Sequence, residues 1–346
     1  MTATQDIKDY SKEEAGQCLA ALGHPPYRAR QIFRWLYKEG VTSFDSMKDL
    51  PAPLRAELAK NLSISQPKLL DTKRSHLDGA AKYLVELEDG HAIETVYLPE
   101  SRRSTVCVSS QVGCKHSCAF CASSILGFAR NLRTGEIVNE ILFIRLGQKL
   151  PVTHVVFMGI GEPFDNYDNV MKAVRTLNDP DGINIGARRI TISTCGLIPG
   201  IERLSGEGLQ VELSVSLHSA DDHVRSRLVP INKKYPIKDL MAACKSYVGK
   251  TDRVVTFEYV LIKGVNSGPE DSAQLSKLLK GMKCKVNLIA YNQIRAQGFE
   301  APSREEARAF LAALVSKGIR AMLRKSRGED IDAGCGQLRI SGMRHE

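Results

Sequence analysis

No run of this sequence approaches the roughly 18 consecutive apolar residues that a membrane-spanning helix needs. The opening residues, MTATQDIKDYSKEEAG, carry acids and lack a hydrophobic stretch, so no secretory signal is expected and the cytoplasm is the expected compartment. No repeat with a period of 20–50 residues and no low-complexity tract stands out, which sets aside solenoids and propellers. Wholesale disorder is excluded too, because 43% of the residues are hydrophobic and 25% charged, close to the globular average. With 346 residues, the length suggests two domains or one large α/β barrel with an appendage. Such a chain can bury a substantial core without disulfides.

What is present is positive charge and cysteine. The formal net charge is +9, a balance that favours a polyanionic partner such as nucleic acid. Nine cysteines are many for a reducing compartment. Clustered there, they point to metal or redox chemistry rather than structural disulfides.

Residues 1–64 read as a small helical accessory domain. Ser11 and Glu14 form a capping-box pattern before an apolar stretch. From Tyr27 to Lys38, Ile32, Phe33, Trp35 and Leu36 gather near one face, with Arg28, Arg30, Arg34 and Lys38 largely on the others. Gly40 would stop that helix and Pro51 and Pro53 would open another. Residues 65–103 read as strands and a short linker region. Asp89-Gly90 lies between Tyr83–Glu88 and Ala92–Leu98, a strong hairpin signal. From 104 to 325 strands and helices alternate, with six principal strands and a seventh near IRAMLRK that could close them. That rhythm predicts a partial (β/α)6 barrel with functional groups at the C-terminal strand ends. Residues 326–346 form a Gly-rich tail, expected to be flexible.

The strongest chemical signal is Cys114, Cys118 and Cys121, a C-x3-C-x2-C loop directly after the strand TVCVSS. A closed zinc site takes four ligands, usually as two separated pairs, and no second C-x2-C exists here. Three thiolates instead suit an iron–sulfur cluster with one open iron. His116 could complete a zinc site, but it lies inside the same tight loop. Gly159-Ile-Gly161-Glu162-Pro163 follows the strand HVVFM. Its glycines permit close backbone approach, and Glu162 can accept from an ammonium. Ser193, Ser216-Leu217-His218 and Asn292 end three further strands. Cys335 lies in the Gly-rich tail, and Cys107 on a strand. Three readings fit these motifs: a radical enzyme on RNA, a radical enzyme on a small molecule or peptide, and a non-enzymatic iron–sulfur or zinc RNA-binding protein.

The spacing C-x3-C-x2-C, with Phe120 before the third cysteine, resembles the radical S-adenosylmethionine superfamily. YRARQIFRWLYKEG, ETVYLPE, CVSSQVGC, CAFC, MGIGEP, RRITIST, VSLH, VPINKKYP, VNLIAYN and RKSRGEDIDAGCGQL together resemble the RlmN/Cfr family of radical S-adenosylmethionine rRNA methyltransferases, over nearly the whole chain. VPINKKYP and RGEDIDAGCGQL are closer to the RlmN branch. The resemblance implies that Cys114, Cys118 and Cys121 hold a 4Fe–4S cluster. It implies that Gly161, Glu162, Ser193, Ser216, Leu217, His218 and Asn292 line the S-adenosylmethionine site. Cys335 would carry the methyl group, Cys107 would resolve it through a transient disulfide, and Glu94 would be the proton acceptor. The implied reaction is methylation at C2 of adenosine 2503 in the peptidyl-transferase loop of 23S rRNA, and of adenosine 37 in some tRNAs. Cfr-type methylation at C8 is the alternative. An electron donor such as flavodoxin, a thiol reductant, no membrane and a monomeric chain complete the implied setting. The family's usual Ala-Cys is Gly334-Cys335 here, which should loosen the loop. No long basic extension follows Cys335, so RNA contacts from such a tail are not expected.

Overall fold

The structure is a computed structural model that describes residues 5–125, 127–294 and 298–338. Of the expected tail, 339–346 lie outside the described residues, as do residues 1–4 of the N-terminal segment.

The N-terminal segment is helical as its pattern predicts. β1 (Gln5–Asp6) and β2 (Leu62–Ser63) form a short parallel pair that closes it. Between them lie α1 (Lys12–Ala21), α2 (Arg28–Arg34) and α3 (Ala52–Asn61). The Ser11–Glu14 capping box is present at α1. A single π turn, Trp35–Glu39, extends α2 and ends at Gly40, whose φ of 68° is the left-handed conformation a helix stop uses. Ile32, Phe33 and Leu36 are buried, Trp35 is half-buried, and Arg30, Arg34 and Lys38 are exposed.

A ten-stranded sheet makes up the rest. β3 (Lys68–Arg74), β4 (Ala81–Glu86) and β5 (Ala92–Pro99) are antiparallel. β5 then pairs antiparallel with β6 (Ser104–Val108), where a parallel run begins. The small ribbon of β7 (Gln111–Gly113) and β8 (Phe128–Asn131) brackets the cysteine loop, and α4 (Thr134–Leu142) follows. The order continues with β9 (His154–Phe157), α5 (Tyr167–Asn178), β10 (Ile190–Thr194), α6 (Ile198–Leu204), β11 (Glu212–Ser216), α7 (Asp222–Leu228) and α8 (Ile237–Thr251). It closes with β12 (Val255–Leu261), α9 (Pro269–Leu279), β13 (Cys284–Ala290), α10 (Arg304–Ser316) and β14 (Ala321–Arg324). β3 and β14 are the two edges, so the parallel run is an open, partial barrel of six strands plus a seventh. The expected hairpin is β4–β5. It continues the barrel sheet instead of standing apart.

Strands of a parallel sheet covered on both faces usually read as continuous apolar runs. These strands alternate. Val106, Val155, Ile190, Ile192, Leu213, Val215, Phe257 and Leu288 face the helix layer and form the main core. The intervening residues include Cys107, Ser193, Ser214, Ser216, Glu258 and Asn287. A period of two therefore sets a polar inner face against an apolar outer one, which prepares the barrel interior to receive something polar.

The helical segment is fastened to α4. The Gly135 N–H at its first turn donates to Asp9 Oδ1 (2.8 Å), and buried Lys8 donates to Asn139 Oδ1 (2.6 Å) and the Ser65 carbonyl (2.8 Å). Asp9 thereby caps α4 from another part of the chain.

Candidate active site

One cavity of roughly 960 Å³, open to solvent, occupies the C-terminal ends of the parallel strands. Cys114, Cys118, Cys121, Gly161, Glu162, Ser193, Ser216, His218 and Cys335 all border it. Residues 221 positions apart, Cys114 and Cys335, thus meet in one space.

The cysteine loop is held at both ends. The Cys114 N–H donates to the Gly127 carbonyl (2.8 Å), and the Ala119 N–H to the Leu228 carbonyl (2.9 Å). Gly113, with φ 76°, permits this turn, because a Cβ there would lie 1.9 Å from the Gly127 oxygen. Inside the loop His116 pairs with Asp165 at 2.5 Å and Lys115 with the same carboxylate at 3.2 Å. His116 Nε2 is therefore committed to Asp165. Burial pushes the Cys114 thiol up to about 12, and Cys118 well above its usual value. Buried thiols of this kind ionise only beside a positive centre, which bound iron supplies. No three donors among the described residues converge to hold a single metal ion. Three thiols spread along one cavity wall suit a polynuclear iron–sulfur cluster, and the donor set fits it.

Beside the thiols, Gly161 adopts φ 103° and a Cβ there would lie 2.6 Å from the Gln111 side chain. A Cβ on Gly159 would lie 2.6 Å from the Val108 carbonyl oxygen. The glycines thus let the end of β9 close on the end of β6, more than they expose backbone to a ligand. Glu162 is buried, with one oxygen accepting from the Phe164 N–H (3.0 Å) and the other from the Cys195 N–H (2.8 Å). Burial raises its pKa while those two N–H groups oppose the rise.

His218 has φ 59° and is buried. Its Nδ1 accepts from the Val260 N–H (3.0 Å), so the neutral ring carries its proton on Nε2. Burial, then the nearby Arg225, lowers its pKa to about 3. Phe120 packs edge-on against the ring at 4.5 Å. Leu217, by strand alternation, points the other way and is fully buried in the helix-facing core. It does not border the cavity. Asn292 does not border it either, but its Nδ2 donates to the Cys335 carbonyl (3.0 Å).

Cys107 lies on the inner face of β6, buried with Val96, Val156, Ile160, Ala333 and Leu338. Both it and Cys335 are free thiols. Burial pushes Cys107 up, and the charge of Cys335 nearby adds to the rise. Desolvation raises the pKa of the Cys335 thiol, and Arg324 opposes that rise. Of the basic residues near Cys335 in sequence, Arg324 is thus beside the thiols, whereas Arg327 binds Asp78 (2.9 Å) and the Pro99 carbonyl (2.6 Å).

The Cys335 loop is exposed at its thiol but not loose. The Ala122 N–H donates to the Gly336 carbonyl (2.7 Å), Ser123 Oγ to the Leu338 carbonyl (2.8 Å), and the His76 N–H to Asp330 (3.0 Å). The flexibility expected from its glycines is overridden by these anchors. Gly334 does not loosen it: a Cβ there would lie 2.7 Å from Asn292 Nδ2 and 2.8 Å from Gln337 Oε1. Glu94 sits on the inner face of β5, buried and paired with Lys82 at 3.1 Å.

Two residues that the sequence did not single out hold this end of the barrel. Arg225 is fully buried and donates to the carbonyls of Cys195 (2.8 Å), Ser216 (3.1 Å) and Leu217 (3.1 Å), tying β10 to β11. Asn232, inside VPINKKYP, orients it (2.7 Å). Asn266 donates to the carbonyls of His218 and Val260, each at 2.7 Å, and so stabilises the left-handed turn at His218.

A three-cysteine loop after the first strand of an open parallel barrel, facing a cavity at the strand ends, defines a radical S-adenosylmethionine enzyme. Residues 108–275 match the family model described as the radical SAM superfamily, and residues 5–64 that of the ribosomal RNA large subunit methyltransferase N-terminal domain. A probable dual-specificity RNA methyltransferase RlmN of Thermoanaerobacter is 46% identical over 334 residues, covering 96% of this chain and 97% of the relative. Its counterpart in Symbiobacterium thermophilum is 44% identical, with 98% and 92% covered. The crystal structure of a radical SAM methyltransferase from Sphaerobacter thermophilus superposes with a TM-score of 0.91 at 46% identity, covering 97% of this chain and 99% of that one. The chain belongs to the RlmN family of radical S-adenosylmethionine RNA methyltransferases.

Proposed function

We propose that this enzyme methylates C2 of an adenosine in the peptidyl-transferase loop of 23S rRNA, and the corresponding carbon of an anticodon-loop adenosine in some tRNAs. The observation that carries the reading is Cys335 opening into the same cavity as Cys114, Cys118 and Cys121, with Cys107 buried in one cluster with Ala333 and Leu338 of the Cys335 loop. Cys114, Cys118 and Cys121 would hold the cluster, and Gly161, Glu162, Ser193, Ser216 and His218 would line the S-adenosylmethionine beside it, with Asn292 at the Cys335 backbone. Bound together, the two cofactors supply a methyl group and the means to abstract a hydrogen atom from an unactivated C–H bond.

The chain's own residues supply the rest. An adenine C2 is an electron-poor carbon and a poor nucleophile, so a thiol carrier is the chemical solution. Cys335 takes the methyl group, and Arg324 favours the thiolate that accepts it. Once the carrier carbon is joined to the base, Glu94 accepts the ring proton. Cys107 then bonds to the Cys335 sulfur as the bond from that sulfur to the carrier carbon breaks. The released carbon takes up a proton to become the methyl group, the one electron left over would return to the cluster, and an external thiol reductant reopens the disulfide. The target base must leave its stack to reach such a recessed site.

The test is nucleoside mass spectrometry with chromatographic standards. Anaerobically reconstituted enzyme receives protein-free large-subunit rRNA fragment, reductant and methyl-deuterated S-adenosylmethionine. Labelled 2-methyladenosine is expected. Labelled 8-methyladenosine would overturn the regiochemistry in favour of the Cfr type. Formation of 5′-deoxyadenosine without any methyladenosine would overturn the RNA substrate.

A further inference from the structure

Among the described residues, one buried cation touches both the acid–base group and the carrier loop of the proposed reaction. Lys82 and Glu94 lie on adjacent antiparallel strands, on the inner face of the sheet. In the register Lys82 stands opposite Val96, and Leu84 opposite Glu94, so the two charged side chains are diagonal neighbours. Their side chains are 4% and 3% exposed, and Nζ lies 3.1 Å from Oε1. The same Nζ donates to the carbonyl of Asp332 at 3.0 Å. Asp332 has φ 51° and stands three residues before Cys335. The next residue, Ala333, packs with Cys107.

A buried ion pair is a poor device for stability, because desolvating two charges offsets most of their attraction. An apolar pair of similar volume would serve the sheet at least as well. Lys82 and Glu94 are also flanked by apolar strand neighbours, with Leu84 and Val96 sharing their face. What an apolar pair could not do is hold a carboxylate and a loop carbonyl at the same time.

We propose that Lys82 is a positioning residue: one ammonium binds the Glu94 carboxylate and the Asp332 carbonyl, so that the proton acceptor and the Cys335 loop are set by a single group. This rests on the roles assigned to Glu94 and Cys335 under the proposed function. It gives the antiparallel strands β3–β5 a purpose. They carry Lys82 and Glu94 on the inner face of the sheet, opposite the face where Thr95 meets Glu140 of α4. The loop's other ties to this extension, Arg327 to Asp78 and His76 to Asp330, place the loop as a whole. Lys82 links it to Glu94.

The experiment compares native enzyme with Lys82→Met, Lys82→Arg, Glu94→Gln and the double variant Lys82→Met/Glu94→Gln, all with cluster reconstituted and iron counted. The double variant leaves no orphaned charge, so it controls for misfolding. Lys82→Met should lower kcat for RNA methylation about 100-fold while KM for RNA stays within about threefold. The double variant should be no slower than Glu94→Gln by more than about threefold, because the two residues act as one unit. Lys82→Arg, which keeps charge and donors, should recover at least about tenfold over Lys82→Met. Multiplying losses in the double variant, equal loss in Lys82→Arg and Lys82→Met, or a Lys82→Met enzyme within threefold of native would each overturn the proposal alone. Native enzyme whose Cys335 peptide never carries a methyl group by mass spectrometry would overturn the carrier reading, and this proposal with it.

Discussion

The parallel barrel end and the antiparallel extension contribute to the site in different ways. The barrel presents side chains: the cysteine loop, Glu162, Ser193, Ser216 and His218 all come from C-terminal strand ends and meet the cavity directly. The extension presents almost none to the cavity. Its residues Asp78 and Lys82 bind the Cys335 loop, and they do so largely through backbone groups, the Gly328 N–H and the Asp332 carbonyl. On the proposed function, one region would hold the cofactors and the other would set the carrier. Substitutions in the two should fail differently.

The largest effects should come from the carrier. Cys335→Ala should reduce RNA methylation below about one-thousandth of native, because no other thiol occupies its place. Iron content should be unchanged, since Cys114, Cys118 and Cys121 are untouched. Cys107→Ala should accumulate a covalent protein–RNA adduct, visible as a nuclease-trimmed mass on the Cys335 peptide. Full turnover by Cys107→Ala would break the two-thiol scheme.

Next comes the barrel frame. Arg225→Met removes a donor from three carbonyls, of which that of Leu217 keeps the Ser219 N–H, and each acceptor left unmet costs about 1–3 kcal/mol. The summed loss, after relaxation, should be about 3–5 kcal/mol by urea unfolding. Loss under 1 kcal/mol would mean that β10 and β11 do not depend on this tie.

These two cases mark the limit of legibility. The cysteine loop, the Gly-Glu-Pro strand end and the alternation of strands and helices were readable, because chemistry that touches a cofactor demands particular residue types at fixed spacing. Arg225 was not readable, since it binds carbonyls that every residue possesses and leaves no side-chain partner motif apart from Asn232. Leu217 shows the converse. The sequence brackets it between Ser216 and His218, but strand alternation turns it into the core. His218 escapes that alternation because its left-handed φ, fixed by Asn266, redirects the ring. The Cys335 loop read as flexible because anchors contributed from residues 76, 122 and 292 lie more than 40 positions away.

A smaller, pH-dependent effect follows from His218. Its folded pKa is depressed to about 3 by burial, against about 6.5 in the unfolded chain. Between those values the unfolded state binds the extra proton, so this group's contribution is full above pH 6.5 and is lost as pH falls. From pH 6.5 to 5 the loss should be about 2 kcal/mol. His218→Gln, which keeps an acceptor for the Val260 N–H, should flatten that part of the curve. Parallel curves for native and variant would show that the ring is protonated in the fold.

Smaller again is the clamp on the extension side. Asp78 accepts from Arg327 Nε (2.9 Å) and the Gly328 N–H (3.0 Å); burial raises its carboxyl, but the Ala80 and Gly328 N–H groups, with Ser75 and Arg327, hold it below the usual range. Asp78→Asn should ease local opening of the loop by about 1–2 kcal/mol, read as faster amide exchange at Gly328. Exchange in β10 and β11 should not change, because the barrel frame does not pass through Asp78.

The smallest effect sharpens the comparison most, because it acts where the two regions touch. Gly334 stands where the resemblance leads one to expect alanine, and its missing Cβ leaves room for the amide of Asn292 at 2.7 Å. That amide donates to the Cys335 carbonyl, while the Gly334 N–H donates to Gln337 Oε1 (3.0 Å). Alanine would gain about 0.4–1 kcal/mol through the unfolded chain. It would also push Asn292 or Gln337 aside, at a cost of similar size. Stability should therefore move by less than about 1 kcal/mol in either direction, with kcat falling less than about tenfold. If Gly334→Ala instead lost activity as deeply as Cys335→Ala, the position of the carrier would be governed from the barrel side through Asn292, and the extension would be a passive support.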